Sequence, residues 1–242
     1  MHRLPLLLLF LLLVGAPCAP ADPLSWVNGL RRGAGIGPLA EDPLLTQAAT
    51  LWAERCAAAG IISHRGGDGS TALDRYRALG GTEARVGEII GAGPDVSRVE
   101  KGWSASPEHR GLALSPSWTH VGWGSAPSGS SQVTVMMFTR KGVARLLIAP
   151  GPQTVTVTGV FLSGDAQRGV LYNGLQALAP TQWEPVNRTF RFEVPADLIA
   201  GYLRLGYVAP DGRFVLTNAF TWPPGTGSPA AQDRFAPPAP SP

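Results

Sequence analysis

The 242-residue sequence is poor in cysteine, lysine and charge. It contains two cysteines, Cys18 and Cys56, and only Lys101 and Lys141 among its 20 basic residues are lysines. Charged residues make up 15% of the chain, and the formal net charge is +3. No stretch holds the dense cluster of basic side chains that a polyanion requires, so we expect no nucleic-acid partner. The hydrophobic fraction of 44% is large enough to build a folded core.

The N-terminus has the pattern of a secretory signal peptide. A short basic start precedes an apolar run at residues 4–14, and small residues follow at 19–21. We therefore expect a secreted, periplasmic or cell-surface protein with no transmembrane segment in its mature form. A retained anchor and a lipoprotein modified at Cys18 are the alternatives. Cleavage after residue 21 would leave Cys56 without a disulfide partner, and it would then pack as a small core residue.

The first half of the chain combines helical periodicity with two closing strands. The predicted helices lie at 23–32, 42–58, 70–79 and 96–103, with a short helical turn from 106 and strands at 119–124 and 132–139. Asp42 and Pro43 are a typical N-cap and first helical residue. Helices followed by paired strands predict an α+β domain made of layers.

The second half changes to short runs with strand-like alternation. These runs lie at 154–158, 169–172, 189–194, 202–207 and 214–217. In 189–194 apolar and polar residues alternate, which indicates one buried face and one wet face. Strands at this spacing over about 75 residues are typical of a small β-sandwich.

The composition predicts four segments. We expect a signal peptide at 1–21, an α+β domain at 22–143, a small all-β, sandwich-like domain at 150–222 and a Pro-rich disordered tail at 223–242. The two folded units are expected to be separable, with a junction between residues 141 and 152, where proline and glycine cluster. The alternative is that residues 144–148, which are apolar enough to form a strand, shorten the linker to a few residues.

Several motifs in the α+β half occur in the order and spacing of a known family. The chain resembles the CAP superfamily, which comprises the cysteine-rich secretory, antigen 5 and pathogenesis-related proteins, in its bacterial SCP-like extracellular type. The resemblance covers about 115 residues and implies an α-β-α sandwich. The motifs that carry it are Asn28 and Arg31, Pro38-Leu39, Ser63-His64, Gly87-Glu88, Trp103 with Ser106-Pro107 and His109-Arg110, and Trp118-Thr119-His120-Val121-Gly122.

The resemblance also implies a cleft with two histidines and two acids that holds a divalent metal in several members. The candidate cleft residues and metal ligands are His64, Glu88, His109 and His120, and zinc or another divalent cation is the candidate cofactor. The position of the family's second acid is matched only by Asp68. The eukaryotic position of the second histidine is occupied by Ser117, so the tetrad is at most partly kept.

Three functions fit this sequence. The first is a non-enzymatic extracellular binding module for a lipid, a peptide or a surface partner. The second is a metal-dependent hydrolase, for example a peptidase, with Glu88 as the base next to a metal-bound water. The third is a structural protein of the cell envelope. No nucleophile elbow, phosphate-binding loop or dinucleotide fingerprint is present in the sequence.

Overall fold

The computed structural model describes residues 22–199 and 201–223. The expected signal peptide and nearly all of the expected tail, residues 224–242, lie outside the described residues. The first domain contains five helices and four strands, which are α1 (Pro23–Gly33), β1 (Ala40–Glu41), α2 (Pro43–Ala59), α3 (Ala72–Ala78), β2 (Val86–Gly93), α4 (Val96–Ala105), α5 (Pro107–Ala113), β3 (His120–Ser128) and β4 (Ser131–Thr139).

These elements form three layers, as the sequence predicted. The central sheet has the order β1-β3-β4-β2. Helices α2 and α3 pack on one face through a cluster that includes Leu45 and Met137. Helices α1, α4 and α5 pack on the other face with Trp103 and Phe138. Strand β4 is therefore covered on both sides, which explains its nearly continuous apolar sequence.

Helix α2 approaches the sheet at close range. It begins at the N-cap Asp42, whose carboxylate accepts hydrogen bonds from the backbone of Leu44 and Leu45, and it ends at Gly60 in the left-handed conformation. Opposite it, strand β3 carries Gly122 and Gly124. A Cβ atom at Gly122 would lie 2.1 Å from a backbone nitrogen of α2, so only glycine allows this contact.

Two residues of the sequence motifs act as structural ties. Asn28 donates to the carbonyl of Leu39 at 3.0 Å and accepts from its amide at 2.8 Å. Arg31 is buried and donates to backbone carbonyls of two connections: that of Gly37 between α1 and β1, and those of Ala113, Ser115 and Trp118 from the end of α5 to β3. Both side chains hold loops to α1. They also supply the hydrogen-bond donors that buried backbone carbonyls need.

The second domain is a β-sandwich of two four-stranded sheets, with orders β5-β6-β10-β9 and β12-β11-β7-β8. A cluster rich in phenylalanine, including Phe161, Phe190 and Phe192, fills the space between the sheets. The strands are β5 (Val143–Pro150), β6 (Thr154–Phe161), β7 (Arg168–Asn173), β8 (Gln176–Leu178), β9 (Gln182–Glu184), β10 (Thr189–Pro195), β11 (Gly201–Val208) and β12 (Phe214–Trp222).

The connection between the domains has the shorter of the two lengths considered from the sequence. We expected the junction between 141 and 152 and left 144–149 outside both domains. The structure has β5 running from Val143 to Pro150, so only residues 140–142 separate it from β4. Strand β5 is an edge strand, and an edge tolerates the proline at its end because no ladder hydrogen bond is lost there.

The two domains contact each other directly through backbone pairing. The amide of Ala84 donates to the carbonyl of Thr217 at 3.0 Å, and the amide of Ala219 donates to the carbonyl of Thr82 at 2.6 Å. Asn218 adds a side-chain hydrogen bond to the hydroxyl of Thr82 at 3.1 Å. The segment before β2 is thus fixed to strand β12 of the sandwich.

Candidate functional site

The structure brings together two of the four candidate residues, His64 and Glu88. His64 lies on the loop between α2 and α3, and Glu88 lies in β2. His64 Nδ1 and Glu88 Oε1 are 2.9 Å apart, which is hydrogen-bonding distance. The histidine side chain is 59% exposed, whereas that of the glutamate is only 5% exposed. The pair therefore joins a buried carboxylate to a surface imidazole.

A third residue, Arg75 of α3, completes this group. One of its terminal nitrogens lies 2.5 Å from Glu88 Oε2, so each carboxylate oxygen has its own partner. The Arg75 side chain is 2% exposed. A buried carboxylate needs a countercharge, and a planar guanidinium supplies one together with directed hydrogen bonds. Arg75 thus compensates the charge of Glu88.

Arg75 is also bound to the loop that carries His64. Its guanidinium donates to the carbonyl of His64 at 3.4 Å and to that of Ser70 at 3.2 Å. It lies over the ring of Trp52, with 3.8 Å between its central carbon and the ring centroid. Burial lowers the pKa of Arg75 from its usual value, while the charge of Glu88 opposes that shift. The guanidinium stays protonated, because arginine does not lose its proton in proteins.

The hydrogen bond to Glu88 determines which ring nitrogen of His64 is available to a ligand. A carboxylate at Nδ1 favours the tautomer that carries its proton there, and it leaves the lone pair on Nε2. Such an imidazole can accept a proton or a hydrogen bond from a ligand through Nε2. The ring is accessible to such a ligand because more than half of the side chain is exposed.

His109 and His120 have other partners. His109 is in α5, where its Nδ1 is 2.8 Å from the hydroxyl of the N-cap Ser106. His120 opens β3, and its Nδ1 is 2.8 Å from the hydroxyl of Thr119. Burial lowers the pKa of His120, and the charge of Lys141 lowers it further, so this imidazole is neutral near pH 7. Both histidines pair with neighbours in sequence rather than with His64.

The donor atoms around His64 do not fit a resident divalent metal. Zinc sites in proteins use three or four protein ligands. Across residues 22–199 and 201–223, no three His, Cys, Asp or Glu side chains are close enough to share an ion. Both oxygens of Glu88 already have partners in His64 and Arg75.

The positions of the two missing family residues have structural contacts of their own. Asp68 Oδ1 accepts a hydrogen bond from the amide of Ser70 at 2.8 Å, which closes a turn in the loop. The hydroxyl of Ser117 is 2.8 Å from that of Ser115.

Cys56 is buried beneath the loop between α2 and α3. Burial raises the pKa of its thiol, as expected of a core cysteine.

Sequence reasoning did not identify Arg75. A signal for it was present, because Ala72, Arg75 and Tyr76 have the i, i+3, i+4 spacing of a buried helix face. An arginine in an apolar stripe requires a buried acceptor, and Glu88 is that acceptor. The spacing in α3 indicates that Arg75 is buried, but it does not identify Glu88 as the partner.

Comparisons with known proteins agree with the α-β-α architecture of the first domain. Residues 24–138 match the cysteine-rich secretory protein family, CAP. A curated relative, the uncharacterized protein YkwD of Bacillus subtilis, is 29% identical over 104 residues, which cover 43% of this chain. The match spans 40% of that relative, so the chain covers less than half of its length.

Two solved structures are similar to this domain. An outer surface protein of Borrelia burgdorferi has a TM-score of 0.46 and 21% identity, over 49% of this chain and 89% of that one. An extracellular protein containing a SCP domain from Bacillus anthracis has a TM-score of 0.44 and 24% identity, over 48% of this chain and 38% of that one. Both TM-scores are below 0.5, so the family assignment depends on the sequence matches.

Residues 24–138 thus match the CAP family model, and the curated relative over the same part of the chain is bacterial; this unit is called the CAP domain. The β-sandwich lies beyond the matched residues. None of the helices within 22–199 and 201–223 is both long enough and apolar enough to span a bilayer.

Proposed function

We propose that this chain is an exported, non-enzymatic binding protein whose CAP domain meets its partner through the loop between α2 and α3. The loop presents three exposed side chains, Ile61, Ile62 and His64. Export is supported by the signal-like N-terminus. The partner belongs to the lipids, peptides or surface molecules of the extracellular space.

The observation that carries this proposal is the double engagement of Glu88. Its oxygens are held by His64 and by the buried Arg75, so the carboxylate fixes the shape of the loop. A general base needs an oxygen free to take a proton from water or substrate. Glu88 is only 5% exposed and its charge is compensated by Arg75, so it is poorly placed to be that base, and the exposed side chains of His64, Ile61 and Ile62 suit recognition. Exposed apolar side chains next to a polar group are typical of interaction sites.

The alternative function, a metal-dependent hydrolase, must be tested against the binding role. We expect zinc titration by calorimetry to show no tight site, and we expect no zinc-dependent hydrolysis of a casein-derived peptide library. The control is His64→Ala. Stoichiometric zinc binding that this substitution removes, accompanied by peptide cleavage, would overturn the proposal in favour of the hydrolase.

The binding role itself is tested by sedimentation with cell envelopes from the producing bacterium. We expect saturable binding that falls at least about tenfold in the Ile61→Ser, Ile62→Ser double variant, because burying two such side chains contributes several kcal/mol. The matched control is Leu175→Ser, which changes an exposed leucine of the sandwich. Equal binding by the double variant and the native protein would refute the role of this loop. We expect the intact mass of the exported form to be that of a chain whose first residue is Asp22.

A further inference from the structure

Two arginines face each other where β2 and β4 leave the central sheet. The last pair in the ladder is Val86 with Thr139, so Arg85 and Arg140 occupy the next opposing positions. The hydroxyl of Thr139 donates to the carbonyl of Arg85 at 2.7 Å, which continues the close approach of the strands. Both arginines are exposed.

Opposing like charges destabilise a strand pair, so this arrangement needs a compensating interaction. Neither guanidinium makes an ion pair or a hydrogen bond to any residue of the described part of the chain. Arg140 interacts with Asp165 through charge alone, and the carboxylate of Asp165 accepts a hydrogen bond from Ser163. The sheet therefore ends in two arginines, neither of which forms an ion pair with a carboxylate of the described residues.

These arginines line a groove between the CAP domain and the β-sandwich. The groove encloses about 350 Å³, which is the size of pocket that takes a small ligand or a few residues of peptide. One wall carries Arg85, Arg140 and Lys141, and the sandwich contributes the exposed side chains of Leu162 and Leu216. None of the described residues that line it is acidic.

Only the two arginines are free to act on an anion. Lys141 Nζ lies 2.6 Å from Asp42 Oδ2, so its charge is already paired. His120, which also lines the groove, is neutral for the reasons given above. Two guanidiniums that form no hydrogen bond or ion pair lie next to two exposed leucines. Together they form a binding site for a group that is both anionic and apolar.

From this geometry we infer that the groove between the domains binds an acidic segment of a partner protein, a short stretch in which carboxylate side chains alternate with apolar ones. Guanidinium groups bind carboxylates bidentately, which gives both charge and direction. The leucines take the neighbouring apolar side chains, and the hydroxyls of Ser117 and Ser163 in the lining suit peptide amides. This site is distinct from the His64 loop and extends the function beyond it.

The test uses the peptide Leu-Glu-Leu-Asp-Leu, labelled for fluorescence anisotropy, and the full chain. We expect saturable binding that weakens as salt is added, because exposed charges are screened. The double variant Arg85→Gln, Arg140→Gln should bind at least about tenfold more weakly, since it loses two charge-assisted contacts. The matched control, Arg98→Gln, removes one exposed arginine on α4 and should bind like the native protein.

Further measurements locate the site and identify the chemistry of the ligand. The amide isostere Leu-Gln-Leu-Asn-Leu should not bind measurably, and amide resonances of Gly142 and Leu162 should shift with the acidic peptide. His64→Ala should leave its affinity unchanged, so failure of this inference is separable from failure of the loop proposal. Equal affinity for both peptides, no effect of the double variant, or saturable binding of octanoate without binding of the acidic peptide would each overturn the inference.

Discussion

Arg75 combines three interactions that no other side chain could replace together. It pairs with Glu88, lies over the ring of Trp52 and donates to two loop carbonyls. A lysine could supply the charge, but it lacks the planar fork and the stacking surface. The burial of one arginine therefore determines where the loop lies and how His64 is presented.

Replacing Arg75 should destabilise the CAP domain strongly. Arg75→Met would leave the carboxylate of Glu88 buried with only the hydrogen bond from His64. Removing one partner of a buried pair typically costs about 3–5 kcal/mol. We expect a lower free energy of unfolding by this amount, measured by urea denaturation at pH 7.

The double variant Arg75→Met, Glu88→Gln is the control for that measurement. It removes both charges, so it should recover part of the lost stability. A double variant as unstable as the sum of the two single variants would show that the ion pair contributes nothing. It would then be the stacking on Trp52 that matters.

The candidate site could be predicted from the sequence only in part. His64 and Glu88 were identified because their motifs match a family pattern. The pairing of Arg75 with Glu88 depends on which helix face turns inward, which a seven-residue helix barely reveals. The separate hydrogen bonds of His109 and His120 also depend on local geometry that motif spacing does not record.

At the level of elements, the N-terminus of α2 connects two parts of the fold. Asp42 caps the helix and also pairs with Lys141, which follows β4. Burial alone would raise the pKa of Asp42, but the hydrogen bond and charge of Lys141 and the amides of the cap together lower it below its usual value. The carboxylate is thus more stable as an anion in the folded state than in the unfolded state.

This shift makes part of the stability dependent on pH. Because the folded pKa lies below the unfolded value of about 3.9, the contribution is complete above that pH and is lost as the pH falls through the folded pKa. Asp42→Ala should lower the free energy of unfolding by about 1–2 kcal/mol at pH 7. The difference from the native protein should narrow at pH 3, as measured by urea denaturation at both values.

Asp42→Asn separates the two roles of this residue. Asparagine is as good an N-cap as aspartate, but it carries no charge for Lys141. We expect it to be intermediate at pH 7 and to show a weaker pH dependence. A loss equal to that of the alanine variant would assign the whole effect to the ion pair.

Helices with clear end signals were predicted well, whereas strand β5 was considered only as an alternative to a longer junction. The beginning of α2 was marked by Asp42 and Pro43, which are the N-cap and the first helical residue in the structure. Strand β5 has a register irregularity between Ala144 and Leu147, and Leu147 is exposed. An edge strand with such an interruption lacks the regular alternation that sequence analysis detects.

At the level of the whole molecule, two cores are joined by a short junction and a direct interface. The clusters of the CAP domain and of the sandwich contain no common residue. The interface nevertheless buries Glu83 and Asn218, which form an isolated β-bridge. Each domain therefore has its own core, and the contact adds to the stability of both.

We predict that residues 22–142 fold alone but melt at a lower temperature than residues 22–223. The shorter chain keeps its core and loses the backbone hydrogen bonds from Ala84 and Ala219. Hydrogen bonds of about 1 kcal/mol each correspond to a difference of roughly 5–15 °C for a domain of this size. Thermal melts followed by circular dichroism compare the two chains, and a non-cooperative melt of the shorter one would contradict the prediction.

The order of the domains was predictable, whereas their contact was not. The change from helical to alternating periodicity indicated two cores. The interface pairs residues 82–84 with 217–219, which are far apart in sequence and carry no motif. Such non-local pairing leaves no pattern in either segment.

The three residues between β4 and β5 have a consequence for the speed of recognition. A Cβ atom at Gly142 would lie 2.6 Å from Thr217, so the junction is packed against the sandwich and has no room to act as a hinge. Tandem proteins with flexible linkers must wait for their domains to close around a ligand, and they lose orientational entropy when this happens. Here both walls are held in place before any encounter. Association with the groove should therefore be a single bimolecular step whose rate rises linearly with ligand concentration.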